Sequence, residues 1–295
     1  MASILDRYGI KEVADVTFYE IQDNGMPGKP VLFLDTLKVS TIEQTAEQAD
    51  ARGGKGNPKL ITWDYGKEIT VTIEDALFSA KSMSIMFGDG TVATNDSLYI
   101  RHTATLKVDS EGHIQDYFFA DIYDANAGSV RKKIWLGAAE NVPAGYVTLA
   151  ASGIVFAANA KDKAMLVSED GTTRDNALTS ATLMSYVSAS ALANDKDKKV
   201  MFTYFTLGKG KTISISGDSF PGTYYVQGDT YSRSDTTGKD QFFQFIIPKC
   251  KMTSENTITL EADGDPSTFS MNLTVLRPED GEMMKLVQYD LTVQG

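Results

Sequence analysis

The stretch from Arg52 to Ile85 carries the organising pattern of this chain. It opens with the glycine-rich run Arg52, Gly53, Gly54, Lys55, Gly56, Asn57 and Pro58. Such a run suits neither a regular helix nor a central strand. Alternation follows: Ile61, Trp63 and Tyr65 take every second position, and after Gly66 so do Ile69, Val71 and Ile73. This predicts two short strands joined by a turn at Gly66. A three-residue loop, Gly66 to Glu68, pairs Trp63 with Val71 and Ile61 with Ile73; a two-residue loop sets Trp63 against Thr70. A buried face selects the odd-length loop, because a one-residue slip turns every side chain over. Trp63 is then a core residue, and truncating it to alanine is expected to cost about 3–5 kcal/mol. Asp75 stands where an N-cap would open a short helix through Ala76, Leu77, Met83 and Ile85, stopped at Gly88.

The same alternation recurs towards both ends. Strands are predicted over Val13 to Ile21, Val31 to Leu34, Leu37 to Thr45, Leu98 to Val108 and Tyr117 to Tyr123. Turns are predicted at Asn24-Gly25, Pro27 to Pro30 and Gly112. From Val130 to about Lys199 the pattern weakens. Ile134 to Leu136 reads as strand and Asp175 to Ala193 as weakly helical. Asn194 to Lys199 reads as an exposed polar loop. Strand signals return with Met201 to Leu207 and Thr212 to Ser216 around a Gly208-Lys209-Gly210-Lys211 turn. Gly222 to Tyr231 and Gln241 to Ile247 follow, the latter ended by Pro248. A hairpin over Thr257 to Leu276 turns at Asp263 to Pro266, and Leu286 to Val293 closes the series. The fold class is mainly β, an antiparallel sandwich or barrel with a short flanking helix and an inserted or elaborated middle region. The organisation expected is 1–129 and 200–295 as two parts of one β-sandwich, with 130–199 as the elaboration.

Charge narrows the partners. The 295 residues hold 28 Lys and Arg against 39 Asp and Glu, a formal charge of -11. Tight nucleic-acid binding needs phosphate neutralisation, which such a chain is ill-equipped to supply. It suits solubility, or a path along which nucleic acid slides without sticking. The single cysteine, Cys250, allows no intrachain disulfide. The start lacks an apolar signal core, and no run approaches a membrane helix, so a soluble protein used without signal-peptide export is expected.

Candidate chemistry is sparse. Gly208 to Thr212 resembles the end of a phosphate-binding loop, but Phe205 stands where that motif needs glycine. His102 and His113 lie in separate segments without a cysteine pair, which leaves little for zinc. Asp263-Gly264-Asp265-Pro266 lacks the spacing of a calcium loop. Asp195 and Asp197 fall in a charged, solvated run. Tyr224, Tyr225 and Tyr231 could form a sugar platform or a half-buried sheet. No catalytic, cofactor or metal residues are assigned, and no enzyme activity is expected.

The glycine-rich loop, the Leu60 to Ser79 segment and the Thr259 to Arg277 segment together resemble the major tail tube proteins of long-tailed bacteriophages, in their larger form. The resemblance covers roughly 13–90 and 200–293. It implies a two-sheet β-sandwich or barrel whose copies form hexameric rings, stacked into a hollow tube that conducts DNA during ejection. It implies a virion protein assembled in the host cytoplasm, with itself as main partner. Tail sheath, tape-measure and baseplate proteins are further partners, DNA passes without specific binding, and no membrane is involved. Arg52 to Pro58, too polar to fold on itself, is the expected inter-subunit contact. The other classes open to such a sequence are a baseplate or decoration protein, a carbohydrate-binding module, and a jelly-roll hydrolase.

Overall fold

A computed structural model describes residues 7–10, 12–124, 126–157, 162–253 and 268–289. In chain order the strands and helices are β1 (Tyr8–Ile10), β2 (Asp15–Ile21), β3 (Pro27–Leu34), β4 (Leu37–Arg52), β5 (Lys59–Asp75), α1 (Ala80–Phe87), β6 (Ala93–Lys107), β7 (Tyr117–Asp124), β8 (Gly128–Trp135), β9 (Tyr146–Thr148), β10 (Ile154–Val155), β11 (Ala164–Ser168), β12 (Thr173–Leu178), α2 (Ser180–Ser188), β13 (Lys199–Thr212), β14 (Thr223–Ser234), β15 (Asp240–Met252), β16 (Phe269–Val275) and β17 (Lys285–Tyr289). The protein is mainly β; among the described residues β8 and β9 pair in parallel, and the ladders that join β1, β2, β3, β4, β5, β14, β15, β16 and β17, β10 to β13, β11 to β12 and β13, and β7 to β8 are antiparallel. The chain divides into two compact units: 1–93 with 211–295, and 94–210. The sequence reading sets its divisions at 129/130 and 199/200 instead.

In the first unit a nine-stranded sheet of described strands runs β3-β2-β14-β15-β16-β5-β4, with β1 on β14 and β17 on β15. Period-two burial builds its core: Val16 and Phe18 of β2, Val71 and Ile73 of β5, and Met271, Leu273 and Val275 of β16 face inward. On β14 the inward positions run Tyr224, Val226, Gly228, Thr230, Ser232 and Ser234. Gly228 pairs with Phe245, whose ring packs so closely over the glycine that a Cβ there would collide with it. Helix α1 adds Ile85 and Met86 to this core. It is opened by a capping box: the Ser79 hydroxyl accepts from the Ser82 N–H at 3.0 Å, and the Ser79 N–H donates to Ser82 Oγ at 2.8 Å.

The second unit pairs β13 with β6, β10 and β11, and β11 with β12; β7, β8 and β9 form a separate three-stranded sheet. Its own core gathers Leu106, Phe118, Ile134, Leu166, Leu183, Phe202 and Tyr204. Phe118 meets Phe202 edge-on at 4.9 Å. Burial pushes the Tyr204 hydroxyl up to about 12.

Several local expectations are corrected. The hairpin predicted around Gly66 does not exist: Lys59–Asp75 is one continuous strand, and its partner is β4. The helix cap falls four residues later than expected, at Ser79; the Asp75 carboxylate instead accepts from Thr36 Oγ1 at 2.5 Å and from the Leu77 N–H at 3.2 Å in the link before the helix. Pro27 to Pro30 belong to edge strand β3 rather than a loop; the edge leaves room for proline's missing donor. The Gly208 to Lys211 turn is part of strand β13, where Gly210 packs against Leu98. Pro248 does not end β15; the register slips by one residue beside it and pairing resumes at Cys250. Asp195 is not solvated: it is buried, and its carboxylate holds the Arg174 guanidinium at 2.7 Å. The expected Asp263 to Pro266 turn lies outside the described residues.

Candidate functional site

The feature that stands apart from both cores is the far half of the β4–β5 hairpin. β5 pairs with β16 only from Thr70 to Asp75. Beyond Thr70, among the described residues, β5 pairs with β4 alone, through Ile69 to Lys59 against Gln44 to Arg52. At roughly 3.3 Å per residue, this two-stranded arm is about 30 Å long. Residues 59–68 and 41–49 are all exposed. An isolated two-stranded ribbon is marginal in water, so such an arm normally rests on something.

The register decides which side chains the arm presents. Thr45 faces Glu68 but Glu47 faces Tyr65, so β5 carries one extra residue at Gly66-Lys67 opposite Ala46. Gly66 takes φ +60, the left-handed conformation of a glycine bulge. Ile69, Val71 and Ile73, which are buried in the core, share a face with Gln44, Ile42 and Ser40. Past the bulge, Tyr65, Trp63 and Ile61 share the opposite face with Glu47, Ala49 and Ala51. Trp63 is therefore 55% exposed while Val71 is 0% exposed, which corrects the expectation of a buried indole. The arm shows water an apolar face of Ile61, Trp63 and Tyr65, and a polar face on which Gln48 Nε2 donates to Asp64 Oδ1 at 2.9 Å.

The sequence-predicted contact residues form the tip of this arm. Arg52 closes β4, and Gly53 to Pro58 make the turn into β5. The Gly53 N–H donates to the Pro58 carbonyl at 3.2 Å and the Asn57 N–H to the Gly54 carbonyl at 3.1 Å. Gly54, Gly56 and Asn57 all take positive φ, which explains the residue types. The loop thus does fold on itself, contrary to expectation. Asp50 anchors it, with Lys59 at 2.9 Å, Thr62 Oγ1 at 2.9 Å and Arg52 at 3.2 Å. Lys59 foremost, with Thr62 and Arg52, holds its carboxyl below the usual carboxylate range. Sequence reasoning selected the tip but missed the apolar face behind it. The signal was present: an isolated glycine inside an alternating run marks a bulge as readily as a turn.

The remaining candidates stay apart. His102 donates to or accepts from Thr206 Oγ1 at 2.7 Å and stacks on Tyr204, while His113 contacts Asp109. Among the described residues no three His, Cys, Asp or Glu side chains are placed to hold a metal ion. Cys250 is fully buried, and burial pushes its thiol up to about 12. Tyr224 points into the core, whereas Tyr225 and Tyr231 lie on the other face of β14. No described helix is long and apolar enough to cross a membrane.

Comparison with known proteins adds one finding. A search of curated proteins found no match. A family model, described as the YomU/Tube protein family, matches residues 8–123 and 145–288. The match includes much of the middle region that the tail-tube resemblance leaves out, and a tube family points to a structural rather than an enzymatic protein. With matched residues over most of its length, the chain belongs to the YomU/Tube protein family, in agreement with its resemblance to phage tail tube proteins and with its antiparallel β architecture.

Proposed function

We propose that this protein is a tail tube subunit whose copies close into hexameric rings and stack into a conduit for DNA ejection. The observation that carries this reading is the β4–β5 arm, which projects an apolar face that its own chain, among the described residues, leaves exposed. Exposed contiguous apolar surface marks an interaction site. Head-to-tail contacts between copies generate rings when the rotation closes and open stacks when it does not. The Arg52 to Pro58 tip, ordered by its own hydrogen bonds, is then a pre-shaped contact that costs little further entropy to dock. The charge of -11 suits a channel for DNA, since it discourages binding along the way.

Electron microscopy of the purified protein across a concentration series tests this reading. Hollow tubes with a ring repeat are expected. A protein that stays monomeric at every concentration, or one that forms only closed particles, would contradict it.

A further inference from the structure

We propose that assembly takes its direction from the facing of the arm, on which a projecting apolar set and a groove lie on opposite faces, a facing that the one-residue bulge at Gly66 accommodates in this sequence. This inference rests on the tube reading above. The groove lies at the base of the arm. It has a volume of about 350 Å3; its apolar lining is Ile42, Ile69, Met283, Met284 and Leu286, and Lys67 and Glu282 are its charged residues. Ile42 and Ile69 belong to the core-facing side of the hairpin, and Met283 and Met284 pack against the core edge. Leu286 is exposed there. The projecting set, Ile61, Trp63 and Tyr65, lies past the bulge on the other side.

The occupant this groove fits is the arm of a second copy, with Trp63 as the inserted side chain. Both surfaces offer exposed apolar side chains in the single chain, Ile42 and Leu286 in the groove and Ile61, Trp63 and Tyr65 on the projection. Their flanking charges are complementary: of the two charged groove residues Glu282 is ion-paired with Lys285 at 3.0 Å, which leaves Lys67 to meet Glu47, beside Tyr65 on the projecting face. The two-face arrangement then sets the symmetry. Were both features on one face, two arms could lie antiparallel and fill each other's grooves, giving a closed two-fold pair. On opposite faces, every docking leaves one projection and one groove free, so addition continues.

Two one-residue variants separate the facing of the arm from the bulge itself. Deleting Gly66 removes the extra residue from β5 but leaves Trp63 opposite Ala49, on its present face. Inserting a threonine after Ala46 matches the extra residue with one on β4 and turns Ile61, Trp63 and Tyr65 onto the groove face. Circular dichroism should show both variants folded, because residues 59–68 contribute no buried side chains. The deletion variant is expected to build open-ended tubes, and the insertion variant to lose them in favour of small closed species. Normal tubes from the insertion variant would overturn the inference. A photo-crosslinker, p-benzoylphenylalanine, in place of Trp63 identifies the seat in wild-type-length assemblies. Crosslinks to the peptide carrying Met283 and Met284 of another copy are expected. Tubes whose crosslinks fall elsewhere would sink the groove assignment while sparing the tube reading; absence of any tubes from the unmodified protein would sink both.

Discussion

Strand β5 contains two halves of nearly the same composition and opposite fates. Ile69, Val71 and Ile73 alternate with threonines and glutamate and are buried; Ile61, Trp63 and Tyr65 alternate with threonine and aspartate and are exposed. The difference lies in what flanks them. The first half has β16 on its free edge and Met271 and Leu273 in the same core. The second half has only β4 beside it among the described residues, and a bulge has turned its apolar side away from the core face. Alternation therefore specifies a strand with one apolar face, but not whether that face is satisfied within the chain or by another copy.

The comparison is broken most strongly in the core half. Ile73→Ala should cost about 2–5 kcal/mol, the range for emptying a closed core site, as read by urea unfolding of the monomer. A cost near that of a surface change would mean the core half is no better packed than the arm. Glycines sharpen the same contrast. Gly228→Ala drives a methyl into the Phe245 ring and should cost about 1–3 kcal/mol by overpacking in the same assay.

In the arm, Trp63→Ala should change monomer unfolding by less than about 1 kcal/mol, because exposed positions remote from any core rarely matter more. Its effect belongs to assembly, where sedimentation should show tubes replaced by small species. A loss of several kcal/mol in the monomer would restore the buried-indole expectation. Smallest of all on the fold is replacement of Gly53 to Pro58 by a Gly-Ser linker, since nothing lies within 4 Å of where a Cβ at Gly54 or Gly56 would stand. Circular dichroism should be unchanged. Assembly should weaken, because the Asn57–Gly54 hydrogen bond that pre-shapes the tip is lost.

Much of the architecture was legible because burial imposes period two on β2, β14 and β16, and antiparallel sheets repeat that signal. The misreadings cluster where glycine or proline interrupts a strand without ending it. Gly66, Gly208-Gly210 and Pro248 all carry turn chemistry, yet their strands continue because a neighbouring strand keeps or resumes the pairing across the interruption. Local sequence cannot report that support. The start of α1 was legible in principle: Ser79 and Ser82 have capping-box spacing, but serine replaces the usual Glu or Gln at the second position. Asp195 was misread because its burial depends on Arg174, twenty-one residues earlier on strand β12. Of the candidate site, the tip was readable from Gly and Pro content, whereas the exposure of Trp63 follows from a strand register that only the assembled sheet reveals.

The central claim is that the apolar face of the arm is wet in the single chain and covered by another copy in the assembly. Only two tryptophans are present, Trp63 and Trp135. In a Trp135→Phe variant, emission therefore reports on Trp63 alone. The account predicts a red, readily quenched emission at dilutions where sedimentation shows monomer, and a blue shift with loss of quenching as tubes form. Emission already blue in the monomer, or unchanged when tubes appear, would contradict it.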